Sequence, residues 1–394
     1  MAITLRRTPQ QYTPIYNPII FRVTSDNTGQ PNFKYYVEVF ITGISFSGKI
    51  FSGTYDANPN DSGSATIDIQ RILEDYVKYD FSNITYGFTI AYDTSVYYEV
   101  QFGEQYGTGD SFATYTNLST FEDAYAWNSV FSPYNFITYT YTNYTFGDSQ
   151  ECLTNRPNQL YFYGNEDYSS LHFINNVTSG AVDLTINTYN NSDALINSYT
   201  MNNPYELSST WEEKFIYVNI GSKGINDYFD PVKPIDNTVK YYTIQINNSG
   251  QLYRYDRLCN WKAESPINVV WLNRLGGIDN FNFKLSRRKS SSINRDNYQK
   301  FLQFGYTEQD RGVTVYNEEI TDRYILTSDW ITEAESIWIQ ELIESPSVFI
   351  IQGSDAIPMV VKNQSYEIKT YRQDRLFNIE LDLEYANKRW AQRS

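Results

Sequence analysis

Histidine is almost missing from this chain: one residue, His172, in 394. Any Ser-His-Asp or Cys-His site would have to use it, yet "SSLHFIN" is an ordinary strand pattern and places His172 on a sheet face. Cysteine is nearly as scarce. With only Cys152 and Cys259 there is no disulfide framework, a reducing folding compartment suits the chain, and a single bridge between the two stays open. Zinc bound by several His or Cys would need His172 and both cysteines to converge. Positive charge is short as well: 31 Lys and Arg against 46 Asp and Glu give a net charge of -15. Proteins bind nucleic acid by neutralising phosphates with clustered cations, so no nucleic-acid partner is expected. Long apolar runs are absent, and the opening "MAITLRRTPQQYTP" has no signal-peptide core, so no membrane insertion is expected.

What the chain has is aromatic: 37 Tyr, 23 Phe and 7 Trp, residues that favour pleated, half-buried surfaces. Asn, Thr and Ser fill the intervals and compete with helix by bonding their own backbone. The expectation is a mainly β protein of two or three antiparallel sandwich- or barrel-like domains with a few short amphipathic helices. Length also argues against a single core. The first domain, 1–128, alternates short strands such as "FKYYVEVFITG" with turns, and treats "GEQYGTGDS" as a glycine-rich loop. Its one helix is "IDIQRILEDYV", with Ile69, Ile72, Leu73, Tyr76 and Val77 at helical spacing and Asp68 as N-cap. The middle domain, 129–256, is Asn- and Tyr-rich; strands such as "FITYTYTNYTF" are expected, no helix, and an exposed loop at "NDYFDPVKPIDN".

The third domain, 257–394, opens near "VVWLNRLGGIDNFNF". A phosphate loop would need a Lys and a Ser or Thr after the glycines and would open a helix. Ile278 and Asp279 follow instead, with period-two patterning on both sides, so Gly276 and Gly277 read as a hairpin turn or bulge. In "SDWITEAESIWIQELIESP", Trp330, Ala334, Ile337, Trp338 and Leu342 form one helical stripe, with Glu333, Glu335, Gln340 and Glu344 facing away. Thr332 and Glu335 suit a capping box, and Ser328 is an equally good first cap. The ending "LFNIELDLEY" alternates cleanly, as a strand with one wet face does.

Candidate sites are few. Asp56, Asn58, Asn60 and Asp61 in "DANPNDSG" share a turn-forming loop but fail the calcium-hand pattern, because Asp61 stands at its glycine position and Ile67 at its glutamate position. Carboxylate pairs for glycosidic cleavage cannot be picked out by spacing. The basic stretch "RRKSSSINR" concentrates Arg287, Arg288, Lys289 and Arg295 in an acidic chain. It reads as a solvated hairpin extension; the functional alternative is an inter-subunit contact with an acidic face of a neighbouring copy.

Four stretches together carry a resemblance: "YTPIYNPIIFRVTSDNTGQPNFKYYVEVFI", "IDIQRILEDYV", "WLNRLGGIDNFNF" and "SDWITEAESIWIQELIESPSVFII". They resemble virion structural proteins of tailed bacteriophages infecting Bacteroidota-type hosts, over the first and last thirds of the chain and not the middle. The resemblance implies a virion location, assembly in the host cytoplasm, and a tail-tip or baseplate position similar to distal tail proteins. Homo-oligomerisation and contact with other virion proteins are the partners it implies, with no cofactor, no metal and no catalytic residue. The alternatives are a neck or head-tail connector protein and a carbohydrate-binding adhesin contacting a host surface glycan. A depolymerase would need a repeated β-pattern, and the chain shows no fixed-period repeat.

Overall fold

The computed structural model describes residues 3–43, 46–79, 81, 86–109, 111–146, 151–165, 167–175, 182–205, 214–246, 251–258, 266–353, 355–363 and 376–390. Cys259 lies outside them, and Cys152 is a buried free thiol. The fold is mainly β, built of several antiparallel sheets with a few short helices.

Alternation builds the first core. In Lys34–Thr42, Tyr35, Val37, Val39 and Ile41 are buried, and the strand lies between Ser47–Asp56 and Ser95–Thr108. Ser95–Thr108 pairs in turn with Ser111–Trp127, and Tyr12–Pro14 closes the sheet. A second sheet of Ile3–Arg7, Ile20–Ser25 and Ala65–Asp68 contributes Phe21, Val23 and Ile67 to the same core. Each fully buried side chain of this kind stabilises the fold by about 1.5–3 kcal/mol. The predicted helix is confined to Gln70–Leu73 and a following 3-10 turn, Glu74–Tyr76. Asp68 is not the N-cap: it ends the strand Ala65–Asp68 and Ile69 takes the cap position, while Asp68 Oδ1 accepts from the Gln70 amide at 3.0 Å and the Ile19 amide at 3.1 Å. Ile69, Leu73 and Val77 are buried, whereas Tyr76 faces out. The glycine-rich stretch expected as a loop is mostly strand: the hairpin runs to Thr108 and resumes at Ser111, because backbone pairing tolerates Gly103 where Tyr115 comes too close for a side chain.

Two sheets sandwich the second core. One runs Thr145–Phe146, Ser170–Asn175, Phe215–Asn219 and Gly87–Ile90; the other contains Gln159–Phe162, Leu252–Arg257, Tyr241–Ile246, Leu184–Tyr189 and Leu195–Met201. Phe88, Phe173 and Val218 from the first meet Phe162, Ile186 and Tyr242 from the second in one cluster. That cluster continues into Trp271, Trp338 and Leu381, so the largest core crosses residue 256, and Gly87–Ile90 supplies a strand to the middle sheet.

Helix does occur in the middle region, against expectation. Ser132 caps Pro133–Ile137 by accepting from the Asn135 amide at 3.2 Å, with proline at a position where its missing N–H costs nothing. "FITYTYTNYTF" is therefore a helix end and a 3-10 turn with strand only at Thr145–Phe146, and its aromatic period serves packing: buried Tyr139 donates to the Tyr12 carbonyl at 2.8 Å. Ser222–Tyr228 is a second helix, whose Asn226 bonds both the amide and the carbonyl of Ile235. Ile235 is fully buried, so "NDYFDPVKPIDN" is pinned at that point rather than wholly exposed.

The third region is one large sheet. Its path is Ile278–Phe283, Ile267–Leu272, Val348–Gln352, Asp355–Val361, Glu380–Tyr385, Val313–Thr327 and Ser286–Gln299. Leu381 and Leu383 are buried and Glu380 is exposed, as the alternation predicts. The helix Glu333–Glu344 has the predicted capping box, Thr332 with Glu335, rather than a cap at Ser328. Its inward face is rotated from the predicted stripe: Trp330, Ala334 and Ile337 are exposed, while Glu335, Ser336, Trp338, Ile339, Glu341 and Leu342 are buried. Buried Glu335 is satisfied by the cap itself, and Glu341 accepts from Asn155 Nδ2 at 2.7 Å and the Arg274 amide at 3.3 Å. The stretch "RRKSSSINR" is not a loop. It lies within Ser286–Gln299, which pairs antiparallel with Val313–Thr327 through one bulge at Asp296/Asn297, and its polar side chains face water on both sides.

Gly276 and Gly277 turn the chain between Ile267–Leu272 and Ile278–Phe283. Gly276 has φ +86°, and a Cβ on it would lie 2.2 Å from the Asn128 carbonyl; one on Gly277 would lie 2.3 Å from the Leu153 carbonyl. The turn is thus pressed against two other parts of the chain at once. Gly277→Ala should cost about 3 kcal/mol in urea denaturation through this overpacking. Gly109→Ala, at φ +65° with nothing within 4 Å, should cost only about 1 kcal/mol of backbone strain. Equal losses would contradict the close approach at Gly277.

Candidate functional site

Several perturbed ionisable groups, Arg156, His172, Cys152 and Glu341 among them, gather where the glycine hairpin meets the middle sheets. Arg156 and Asp279 form an ion pair at 2.5 Å with side chains 1% and 0% exposed. Arg156 uses its donors fully: Nε to Thr154 Oγ1 at 3.1 Å, Nη1 to Ser169 Oγ and Tyr255 Oη at 3.1 Å each, and Nη2 to the Ser170 carbonyl at 2.6 Å. Asp279 accepts in addition from Thr154 Oγ1 at 2.7 Å, Asn273 Nδ2 at 3.1 Å and Trp338 Nε1 at 2.8 Å. Asn273 also donates to the Leu153 carbonyl at 2.8 Å, Trp127 Nε1 donates to the Leu275 carbonyl at 3.0 Å, and the Val130 amide donates to the Arg274 carbonyl at 2.9 Å. Residues from all three regions of the chain meet in these contacts.

Perturbed groups in a cleft often mark catalysis. Here they are sealed. Burial pushes the His172 imidazole down to about 3, with the Asp279 charge opposing, and the ring stacks on Tyr217 at 5.2 Å. It is the sheet-face residue that its strand pattern predicts. Burial pushes the Cys152 thiol up to about 12. Neither group offers a base or a thiolate near neutral pH. Burial first, and the charge of Asp279 second, raise Glu341 to about 7.

The other sequence candidates are engaged within the chain. Asp56 pairs with Lys34 at 3.3 Å, Asp61 bonds Arg22 and Ser64, and Asn58 Oδ1 accepts from the Asn60 amide at 3.0 Å. Among the described residues no group of three or more His, Cys, Asp or Glu could hold a metal ion. Of the four basic residues, Arg288 pairs with Glu380 at 3.3 Å and Arg295 with Glu318 at 2.6 Å. Lys289 lies over the Tyr324 and Tyr385 rings at 5.4 and 5.6 Å, and Arg287 too has an interaction partner.

The sequence reading missed what lies beyond them. Glu380–Tyr385 supports residues 323–327 and Arg389–Trp390 supports 319–320. Among the described residues the outer part, 295–299 with 313–318, is a two-stranded ribbon, reaching about 17 Å at ~3.4 Å per residue. The loop it carries exposes Phe301 (89%), Phe304 (fully), Leu302 and Tyr306. The signal was present in "KFLQFGY", an apolar run immediately following a polar strand. On another face, a cleft of about 810 Å³ is lined by Tyr16, Val77, Tyr79, Val130 and Pro346, with Arg274 and Glu344 among its polar residues.

No family model matches the chain, and no curated protein matches it. Among solved structures it is similar to a chain described as "Biofilm associated protein - BSP domain", at 10% identity and a TM-score of 0.15. The match covers 82% of this chain and 63% of that one. A score of that size says nothing of shared fold or function.

Two outcomes follow from the junction. Asp279→Asn or Arg156→Met alone should cost about 3–5 kcal/mol in chemical denaturation, because each strands a buried charge or its donors, while a double replacement by apolar residues should recover much of the loss. Additive losses in the double variant would contradict the pairing. The folded-state pKa of Glu341 lies above its unfolded value, so its contribution is complete in acid and lost as pH rises through about 7. Glu341→Gln should therefore flatten the fall in unfolding free energy between about pH 4.5 and 7, and an unchanged slope there would exclude Glu341 as its source.

Proposed function

We propose that this chain is a structural subunit of a tailed-phage virion, at a tail-tip or baseplate position, assembling with copies of itself and with other virion proteins. The projecting arm is the observation that carries the reading. An isolated two-stranded ribbon is marginal in water, and contiguous exposed aromatic surface at its end is what a soluble monomer avoids unless a partner covers it. The partner proposed is a second copy. The arm with its loop, residues 295–318, holds three basic and four acidic residues, so its near-neutral charge lets it approach a neighbour's body where two bodies of net charge -15 repel. Arg287, Arg288, Lys289 and Arg295 brace the arm's base in this scheme and tune its salt dependence.

Arm tip and receiving surface are different parts of the molecule, and the 810 Å³ cleft is the receiving surface proposed. Such a head-to-tail contact generates a closed ring when its rotation closes and a filament when it does not. The resemblance in the first and last thirds of the sequence supports the ring and its placement in the virion; no catalytic role is assigned. Sedimentation velocity should show concentration-dependent association of the parent chain. Phe301→Ser with Phe304→Ser should abolish it at an unchanged thermal midpoint, since neither ring contributes to a core. A parent that stays monomeric at every concentration, or a variant that associates as the parent does, would overturn the reading.

A further inference from the structure

A second, smaller cleft of about 140 Å³ lies where Gln159–Phe162, Ile278–Phe283 and the approach to the long helix converge. Tyr161, Phe281 and Trp330 give its lining an aromatic part, beside the aliphatic Leu160, Leu258 and Ile331. Trp330, three residues before the helix Glu333–Glu344, is 64% exposed and stands beside this opening. Its polar lining includes Asn280, Asn282, and Lys284 paired with Asp329 at 2.7 Å. Asn282 is only 8% exposed; its Nδ2 donates to Asp167 at 2.8 Å while its Oδ1 is buried without a hydrogen-bond partner. Burial, reinforced by the carboxylates of Glu335, Asp256 and Asp329, holds the Tyr161 hydroxyl protonated, so it remains a donor at neutral pH.

Exposed aromatic faces beside an amide and an ion pair suit one ligand chemistry. A pyranose ring presents a C–H face that stacks on Trp or Tyr, and an edge of adjacent hydroxyls that both donate and accept. Asn280 and the Lys284–Asp329 pair offer complementary groups within the same cleft. Asp329 and Glu335 outnumber Lys284 there, so acidic sugars are disfavoured. We propose that this cleft is a binding subsite for one ring of a neutral hexopyranose glycan. It lies between the middle and last regions rather than on loops of the middle region, and it is independent of the arm.

The test uses the full chain and a defined panel: D-glucose, D-galactose, D-mannose, N-acetyl-D-glucosamine, maltose, lactose and chitobiose, with D-glucuronic acid as the acidic control. Saturation-transfer NMR should show saturable binding of at least one neutral member and none of the acid. Trp330→Ala should weaken that binding at least tenfold and Asn280→Ala severalfold, whereas Trp390→Ala, which removes another exposed tryptophan, should leave it unchanged. Thermal midpoints of all three variants establish that each is folded. The proposal is overturned if no panel member saturates, or if Trp330→Ala binds as the parent does. It is equally overturned if Trp330→Ala impairs self-association and no sugar effect is seen, which would make the cleft a protein contact.

Discussion

The Arg156–Asp279 pair is the constraint around which the molecule is arranged. Taking two charges out of water costs several kcal/mol per ion, and that cost is offset only when the remaining donors and lone pairs are satisfied. Here they are, by Thr154, Ser169, Tyr255, Asn273, Trp338 and the Ser170 carbonyl. Those partners come from five separate segments of the chain, with Ser169 and Ser170 adjacent, so satisfying the pair fixes the relative positions of the segments. An apolar core of equal volume could supply as much stability without demanding one arrangement.

The glycine hairpin carries that arrangement outward. Asp279 is the second residue of the strand after the turn, Gly276 and Gly277 let the turn touch Asn128 and Leu153, and Trp127 bonds the Leu275 carbonyl. The first region is thereby fixed to the other two through backbone contacts that tolerate no side chain. Such rigidity matters for a subunit whose contacts lie far from its core. The arm and both clefts are mounted on sheets or helices that end at this junction, and a loose base would spread the positions of their aromatic groups.

Much of this was legible one element at a time. The hairpin turn, the Thr332 capping box and the last strand depend on residues within a few positions of one another, and local physics decides them. Partnerships across more than a hundred residues left no local trace: nothing near Asp279 announces Arg156, and nothing near Gly277 announces Leu153. The long helix shows the same division, since its cap was readable while its buried face was not; Glu341 turns inward because Asn155 and the Arg274 amide receive it. The arm was read as a loop because polar residues on both faces erase the period-two signal, leaving only its partner's Val, Ile and Tyr to indicate strand. His172 was placed correctly because its strand pattern outweighed its chemistry.

The central claim is that the junction makes three regions one cooperative body. Native-state hydrogen exchange followed by NMR tests it most directly, on the amides of Val130 and Gly277, which lie in the junction, and of Val37 and Ile244, which lie in separate sheets. The account predicts one common opening free energy for all four, equal to that of global unfolding. Faster exchange of Val130 and Gly277, while Val37 and Ile244 stay protected, would show regions that part before they unfold and would contradict it.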